Sequence, residues 1–449
     1  MASAMTGFSE QIKLADQTRQ WELRPEQEFR FEVDFNNAII LRLKAGMAEI
    51  FGAELGQGTS YNFSGQKVAV FTWHGCTLEI QGQCNVEYVA EETPMVSYLN
   101  LHVALEQRRV SGDQASDAVS TTGPIVMVVG PADAGKTSLV KMLLNYAYRQ
   151  ERRPMFINLD PAEGSIMLPG TVSAAPAAHM IDPEDELNSL GLNKASDVST
   201  PLCYHYGYAS LTENPKLYKL LVSKLASTVH ARLANDQPSR EAGCIIDTGG
   251  VVDPAGYDAI QHCITEFKVN VVVVLGHERL YSDMHKLYAG NDQITVVKLA
   301  KSGGVVNRDK EFLRQAQLRT IRKYFYGSVN SEFSPFSTIA WYQDLKIFRV
   351  EDALAPSSAL PLGQDRKLSE TQIVPMEPGP VLLHSILTVS SLDNTEDENK
   401  LLESNVAGFV YVSSVDENKN KRKLTLLSPF PGRLPRKYLL LTSFKWMEV

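Results

Sequence analysis

Eight residues, Gly130-Pro131-Ala132-Asp133-Ala134-Gly135-Lys136-Thr137, constrain this chain more than any other stretch. They fit the phosphate-binding loop pattern G-x-x-x-x-G-K-[ST]. The glycines let the backbone turn so that several amides face one concavity, where phosphate oxygens would sit. The pattern assigns the Lys136 ammonium to the β- and γ-phosphates and the Thr137 hydroxyl to Mg2+. Upstream, Pro124-Ile125-Val126-Met127-Val128-Val129 reads as a short buried strand. Downstream, Leu139, Val140, Leu143, Leu144 and Ala147 recur at helical spacing. Strand, glycine loop and helix in that order aim a helix N-terminus at an anion. A glycine-rich turn beside a surface lysine would explain the loop but not its flanks. The expected nucleotide-contacting residues here are Gly130, Ala132, Asp133, Ala134, Gly135, Lys136, Thr137 and Ser138.

The chain has 449 residues, room for two to four domains and ample core. Its net charge of −8 excludes a global basic field that would draw it to nucleic acid or membrane. Any RNA contact must come from a local patch or through partners. Cys76, Cys84, Cys203, Cys244 and Cys263 are scattered, odd in number and without metal-ligand spacing. They read as buried free thiols of a reducing compartment. The first residues, Met1-Ala2-Ser3-Ala4-Met5-Thr6, show no basic segment followed by an apolar one, so no secretory signal is expected. Apolar runs such as Val269–Leu275 are too short to span a bilayer. The expectation is a cytosolic or nuclear protein with no membrane role.

Patterning divides the chain into a β-rich N-terminal sandwich (1–110), a linker (111–123), a central α/β phosphate-loop domain with a mostly parallel sheet (124–327), and a small mixed α+β C-terminal domain (328–449). In the first part Phe29, Phe31, Val33 and Phe35 alternate with polar residues. Strand-like runs follow at Ile39–Leu43, Ala48–Phe51, Val68–Thr72 and Thr77–Ile80, separated by Asn36-Asn37, Gly56-Gln57-Gly58 and Ser64-Gly65. A helix is expected at Tyr98–Arg109. In the central part, strands at Met155–Leu159, Cys244–Ile246, Val269–Leu275 and Thr295–Leu299 alternate with helices at Leu217–Ala234 and Asp309–Tyr326. Near the C-terminus, strands at Ala407–Val415 and Leu424–Leu427 flank the basic run Asp416–Lys423, which reads as a hairpin turn or a nuclear-import signal. The acidic stretch Asp393–Asn399 reads as a solvated loop.

Two acids fall at strand ends. Asp247 follows Cys244-Ile245-Ile246, and Asp160 closes Asn158-Leu159-Asp160. Open α/β sheets bind ligands at the carboxyl ends of their strands, so both acids point toward the γ-phosphate. One would serve Mg2+ with Thr137, and the other could take a proton from an attacking hydroxyl. Each could instead cap the segment that follows it. Arg314, Arg319 and Arg322 on the last predicted helix could clamp a phosphoryl group, or could form a solvated face.

Gly130–Thr137, Phe156-Ile157-Asn158-Leu159-Asp160, Lys301-Ser302-Gly303-Gly304-Val305-Val306 and Ile321-Arg322-Lys323-Tyr324-Phe325-Tyr326-Gly327, taken together, resemble the eukaryotic RNA 5′-hydroxyl polynucleotide kinase family. So do Ala48–Gly52, Lys67–Trp73, Leu426-Leu427-Ser428-Pro429 and Leu434-Pro435. The resemblance covers nearly the whole chain and its three-domain order. It is nearest to the fungal branch, the ATP-binding subunit of cleavage factor IA in mRNA 3′-end processing. It implies an N-terminal domain that helps hold adenine through Glu28 and Lys67, although Lys67 also reads as an edge-strand lysine. It implies ATP and Mg2+ in the central domain. It implies a nuclear protein whose central and C-terminal domains dock a larger 3′-end-processing scaffold protein within a cleavage factor complex.

Active members of that family use an aspartate matching Asp160 to activate the RNA hydroxyl, a tryptophan that stacks on RNA, and paired lid arginines. Here the tryptophan position reads Val251 and one lid position reads Gln317, while Arg322 matches the other. Valine cannot supply base stacking of about 1–3 kcal/mol. Losing a lid arginine can cost roughly 10³–10⁵ in rate, with Arg314 and Arg319 as neighbouring substitutes. The resemblance therefore implies a nucleotide-bound assembly subunit without kinase activity. An active RNA 5′-hydroxyl kinase, with Asp160 as base and Arg322 on the phosphates, and an ATPase conformational switch are the alternatives.

Overall fold

Strict alternation organises the N-terminal region. In Ile39–Gly46, Ile39, Leu41 and Leu43 are buried while Ile40 and Arg42 are half-exposed, and Cys76–Gly82 repeats the pattern. A strand with a period of two buries one face only, so such strands must pair into sheets stacked face to face. The computed structural model describes residues 18–113, 122–184, 201–328, 331–352, 371–392, 398–416, 422–432, 434 and 437–448. The chain divides into two units, one holding residues up to Val96 with Asp182–Glu184 and Ser302–Gly304, the other holding the remainder. Each is described by itself.

The first unit contains two antiparallel sheets. One is ordered Thr18–Leu23, Cys76–Gly82, Ile39–Gly46, Ser60–Phe63, the other Ala53–Glu54, Glu49–Ile50, Gln66–Phe71, Glu28–Val33, Val86–Ala90. Their inward residues share one core that includes Phe29, Phe31, Phe63, Ile39, Leu41, Val70, Leu78 and Ile80. Phe31 and Phe63 meet edge to face at 5.4 Å. Burying each such side chain stabilises the fold by about 1.5–3 kcal/mol. The N-terminal domain is a β-sandwich, as the alternation requires.

In the second unit a seven-stranded sheet runs in the order Leu202–His205, Thr171–Pro176, Met155–Asn158, Cys244–Asp247, Ile125–Val129, Val271–Leu275, Thr295–Leu299. The last five strands are parallel. Ile125–Val129 and Val271–Leu275 are buried along their whole length, because helices cover both faces of a parallel sheet. The two antiparallel edge strands, TVSAAP and LCYH, escape a pattern reading because they lack a run of large apolar residues. The helices start where local chemistry permits. Asn214, Asp253 and Asp309 each accept a hydrogen bond from a first-turn N–H, and Pro follows the first two. The helix expected at Tyr98–Arg109 extends over Met95–Asp113, so the linker's first residues are helical, and residues 114–121 lie outside those described.

The C-terminal domain carries a second seven-stranded sheet, ordered Phe336–Trp341, Lys423–Ser428, Val406–Asp416, Ser385–Ser390, Tyr438–Lys445, Lys346–Asp352, Thr371–Met376. It is β-rich, and its helical turns among the described residues are short 3-10 segments at Tyr342–Asp344, Pro380–Leu382 and Glu398–Leu401. The strands flanking the basic run pair antiparallel, as a hairpin requires, and residues 417–421 between them lie outside the described set. So does 393–397 of the acidic stretch. A polar seam joins this sheet to the central one. His205 Nδ1 lies 2.9 Å from Thr388 Oγ1, the Cys203 amide donates to Asn405 Oδ1 at 2.9 Å, and Ser443 N donates to Gly207 O at 2.8 Å. Phe325, on the helix Lys310–Tyr326, stacks on Trp446 at 5.5 Å.

Candidate nucleotide site

The sheet register sets the site. Val128, Asp247 and Asn158 occupy one row of three adjacent parallel strands. Gly130 and Asp160 each follow two residues later, at the carboxyl ends where an open sheet leaves a crevice. A Cβ on Gly130 would lie 2.5 Å from the Leu275 carbonyl oxygen, so only glycine fits beside the neighbouring strand. Gly135 has φ of +89°, a left-handed conformation that favours glycine, and it caps the helix Lys136–Arg149. The loop thus enters the helix with its amides free of side-chain caps. Lys136 is only 7% exposed, and its ammonium donates to Pro131 O at 2.8 Å, folded back across the loop.

The two strand-end acids lie near enough for the Asp247 charge to act on Asp160. Thr137 Oγ1 donates to Asp247 Oδ2 at 2.7 Å. Asp247 Oδ1 accepts from Thr248 N at 3.0 Å, and Thr248 Oγ1 donates to Val128 O, locking the turn to the loop strand. Burial pushes the Asp247 carboxyl up to about 6, against the pull of the Thr137 hydroxyl and Lys136. Asp160 accepts from Ala162 N at 2.9 Å and lies against Gly249. Its carboxyl is also raised, first by burial and then by the charge of Glu163. Two carboxylates held above their ordinary range beside a threonine hydroxyl would gain from a nearby divalent cation. Among the described residues no three His, Cys, Asp or Glu side chains form a ready-made cage. A cation here would complete its shell with phosphate oxygens and water.

Arg308, Glu163 and Tyr218, which no sequence pattern marks, join residues already named to build the rest. Arg308, just before the lid helix Lys310–Tyr326, reaches both the phosphate loop and the turn after Asp160, pairing with Asp133 at 2.7 Å and Glu163 at 2.6 Å. Its partners lie 175 and 145 positions away, so no local pattern marks it. Asn158 fixes the turn, accepting from Asp160 N and donating to Glu163 O. Tyr218 OH donates to Leu159 O at 3.0 Å from the helix behind. Gln317 Nε2 donates to Ala162 O at 3.0 Å, which puts a neutral amide over the same turn. Arg314 and Arg322 are exposed on the lid helix. Val251 packs against the central core.

Ala132 is exposed and abuts Gly250, Ala134 is buried, and Ser138 is half-buried in the first turn of the helix. Glu28 and Lys67 belong to the first unit. Glu28 is buried, paired with Arg30 at 2.7 Å and accepting from Thr93 Oγ1 at 2.6 Å. Lys67 pairs across strands with Glu32 at 3.0 Å. In the ladder joining their strands, Glu28 faces Phe71 and Lys67 faces Glu32, so the two occupy opposite ends.

Three family profiles match successive parts of the chain. Residues 22–112 match the N-terminal beta-sandwich domain of polyadenylation factor, 130–327 the mRNA cleavage and polyadenylation factor CLP1 P-loop, and 333–448 the pre-mRNA cleavage complex II protein Clp1. The mRNA cleavage and polyadenylation factor clp1 of Botryotinia fuckeliana is 40% identical over 95% of this chain and 93% of its own. The polyribonucleotide 5′-hydroxyl-kinase Clp1 of Homo sapiens is 40% identical over 96% of this chain and 97% of its own. A solved Clp1p–Pcf11p complex contains a chain that superposes with a TM-score of 0.84 at 27% identity, covering 97% of this chain and all of that one. A second, of equal similarity, concerns an extended Clp1p–Pcf11p interface and ATP loss in a point mutant. The chain belongs to the Clp1 family.

Proposed function

We propose that this Clp1-family chain is an ATP-binding structural subunit of the nuclear pre-mRNA 3′-end cleavage and polyadenylation machinery, without kinase activity. The observation that carries this reading is a complete phosphate cradle under a neutral lid contact. Lys136 folded across the loop and Thr137 bonded to Asp247 support a site in which the ammonium would meet a triphosphate and the other two its cation. Gln317 instead of an arginine meets the Asp160 turn, and Val251 is packed where a stacking aromatic would be needed. Glu28 and Lys67 would serve the adenine base. Thr137, Asp160 and Asp247 would hold Mg2+, which neutralises phosphate charge when bound. The loop amides and Lys136 would orient the β- and γ-phosphates. Ligand binding to the folded chain adds stability by mass action, so nucleotide would act as cement for a docking surface. That surface would lie on the central and C-terminal domains, which share a hydrogen-bonded seam, and would receive a scaffold protein such as the Pcf11p of the solved complexes.

A second reading, an RNA 5′-hydroxyl kinase, is favoured by Asp160 with its raised carboxyl and by Arg308 reaching the phosphate loop. In it Asp160 would accept the RNA hydroxyl proton, and Arg308 or Arg322 would face the transferring phosphoryl group. One experiment separates the readings. Purified protein is incubated with γ-labelled ATP and a 5′-hydroxyl RNA oligonucleotide. The structural reading expects no label on RNA, no free phosphate, and adenine nucleotide recovered from the denatured protein. Label on RNA overturns it in favour of the kinase, and free phosphate alone overturns it in favour of an ATPase switch. Lys136→Ala is expected to weaken nucleotide binding by roughly a hundredfold or more, since a buried charge-assisted contact is lost, and to weaken Pcf11-type partner capture.

A further inference from the structure

Arg308 makes three contacts with two carboxylates from distant parts of the second unit. Its Nε donates to Asp133 Oδ1 at 2.7 Å and its backbone N to Asp133 Oδ2 at 3.0 Å. Its terminal NH2 nitrogen donates to Glu163 Oε1 at 2.6 Å. Asp133 sits mid-loop at φ +51°, a left-handed position held among glycine-rich neighbours. Glu163 ends the turn that carries Asp160. All three side chains are no more than 30% exposed, so solvent screens their attraction only in part. Burial pushes the Asp133 carboxyl up, but the Arg308 amide and guanidinium more than offset this and hold it below the usual range. Asp309, the next residue, caps the lid helix by accepting from Phe312 N at 2.7 Å. Any displacement of Arg308 therefore moves the start of that helix. Further along, Gln317 ties the helix to Ala162 of the same turn.

Loop, turn and lid helix are thus joined at one point by charge and at another by an amide. Opening the lid requires both ties to break together. A ligand held in the loop leaves at the rate of that opening when opening is slower than escape.

We propose that Asp133, Glu163 and Arg308 form a clasp that holds the lid helix to the phosphate loop and sets how slowly nucleotide leaves. This rests on the nucleotide-binding reading above. Asp133 and Glu163 act as positioning residues, through Arg308. The clasp makes a prediction opposite in sign to simple electrostatics. Removing a carboxylate near a triphosphate lowers repulsion and should by itself slow release. If the carboxylate works as a clasp, its removal speeds release.

The test loads the full chain with a fluorescent ATP analogue and Mg2+, then chases it with excess unlabelled ATP in a stopped-flow instrument. Glu163→Gln and Asp133→Asn should each release the analogue roughly tenfold faster than the parent chain, the effect of losing one partly buried charge-assisted contact. Adding Arg308→Gln to the Asp133→Asn, Glu163→Gln double variant should give little further acceleration, because both carboxylate partners of the guanidinium are already gone. Release from the parent should quicken with salt, and the Asp133→Asn, Glu163→Gln double variant should lose most of that dependence. A circular-dichroism melt of each variant checks that the fold persists. Unchanged or slower release from both carboxylate variants overturns the clasp alone. Failure of the parent chain to load any analogue overturns the clasp and the nucleotide-binding reading together.

Discussion

Asn158 is 1% exposed, and both ends of its amide are engaged, the carbonyl by Asp160 N at 3.0 Å and the NH2 by Glu163 O at 2.9 Å. Without it, two backbone groups of the Asp160 turn lose their partners beneath a buried site. Each unsatisfied buried group costs about 1–3 kcal/mol. Asn158→Ala is expected to lower stability by about 2–4 kcal/mol in urea unfolding. It should also weaken nucleotide binding, since Asp160 and Glu163 lose their common anchor. A urea midpoint equal to that of the parent would remove Asn158 from this role. The residue was legible as part of a motif, but its task was not, because Glu163 and Asp160 meet it only once the turn has formed. Thr137 and Asp247 differ in this respect. The loop pattern and the strand-end position pointed to a common site, and a 2.7 Å hydrogen bond joins them.

At the scale of elements, the strands and capped helices followed local rules. Proline and a capping side chain start the helix Pro215–Asn235, and unbroken apolar runs make the parallel strands. The edge strand Leu202–His205 followed no such rule, and it carries a buried titratable group into the seam with the C-terminal sheet. Burial pulls the His205 imidazole down to about 3, well below its ordinary value near 6.5. The folded state therefore keeps His205 neutral while the unfolded chain protonates it. Its stabilising contribution is fully present above pH 6.5 and is lost as pH falls from there toward 3. His102, pulled down to about 4 chiefly by burial, acts in the same direction. Stability from urea unfolding should fall between pH 6.5 and 5, with a shallower slope in His205→Gln than in the parent chain. An identical slope would show that the imidazole is solvated and titrates normally in the folded protein.

For the whole molecule, ligand and fold are coupled by mass action. ATP with Mg2+ at a hundredfold excess over its dissociation constant should stabilise the unit that carries the phosphate loop by about 2.7 kcal/mol. Calorimetry should show that unit's transition rising by a few degrees, and Lys136→Ala should cut the stabilisation to about 0.4 kcal/mol or less while leaving the β-sandwich transition in place. A nucleotide-dependent shift as large in Lys136→Ala as in the parent would place the ligand elsewhere. The sequence by itself determined the sandwich, the phosphate loop between strand and helix, the mostly parallel sheet and the two acids at its strand ends. Each of these is written in residue type and spacing over a few turns of chain, where local sterics and hydrophobic periodicity act. Only the tertiary structure decided that Arg308 faces Asp133 and Glu163, that Gln317 covers the Asp160 turn, and that His205 is sealed beneath the C-terminal sheet. Those contacts depend on the order in which strands assemble, and similar apolar runs fit several orders equally well until the whole core has packed.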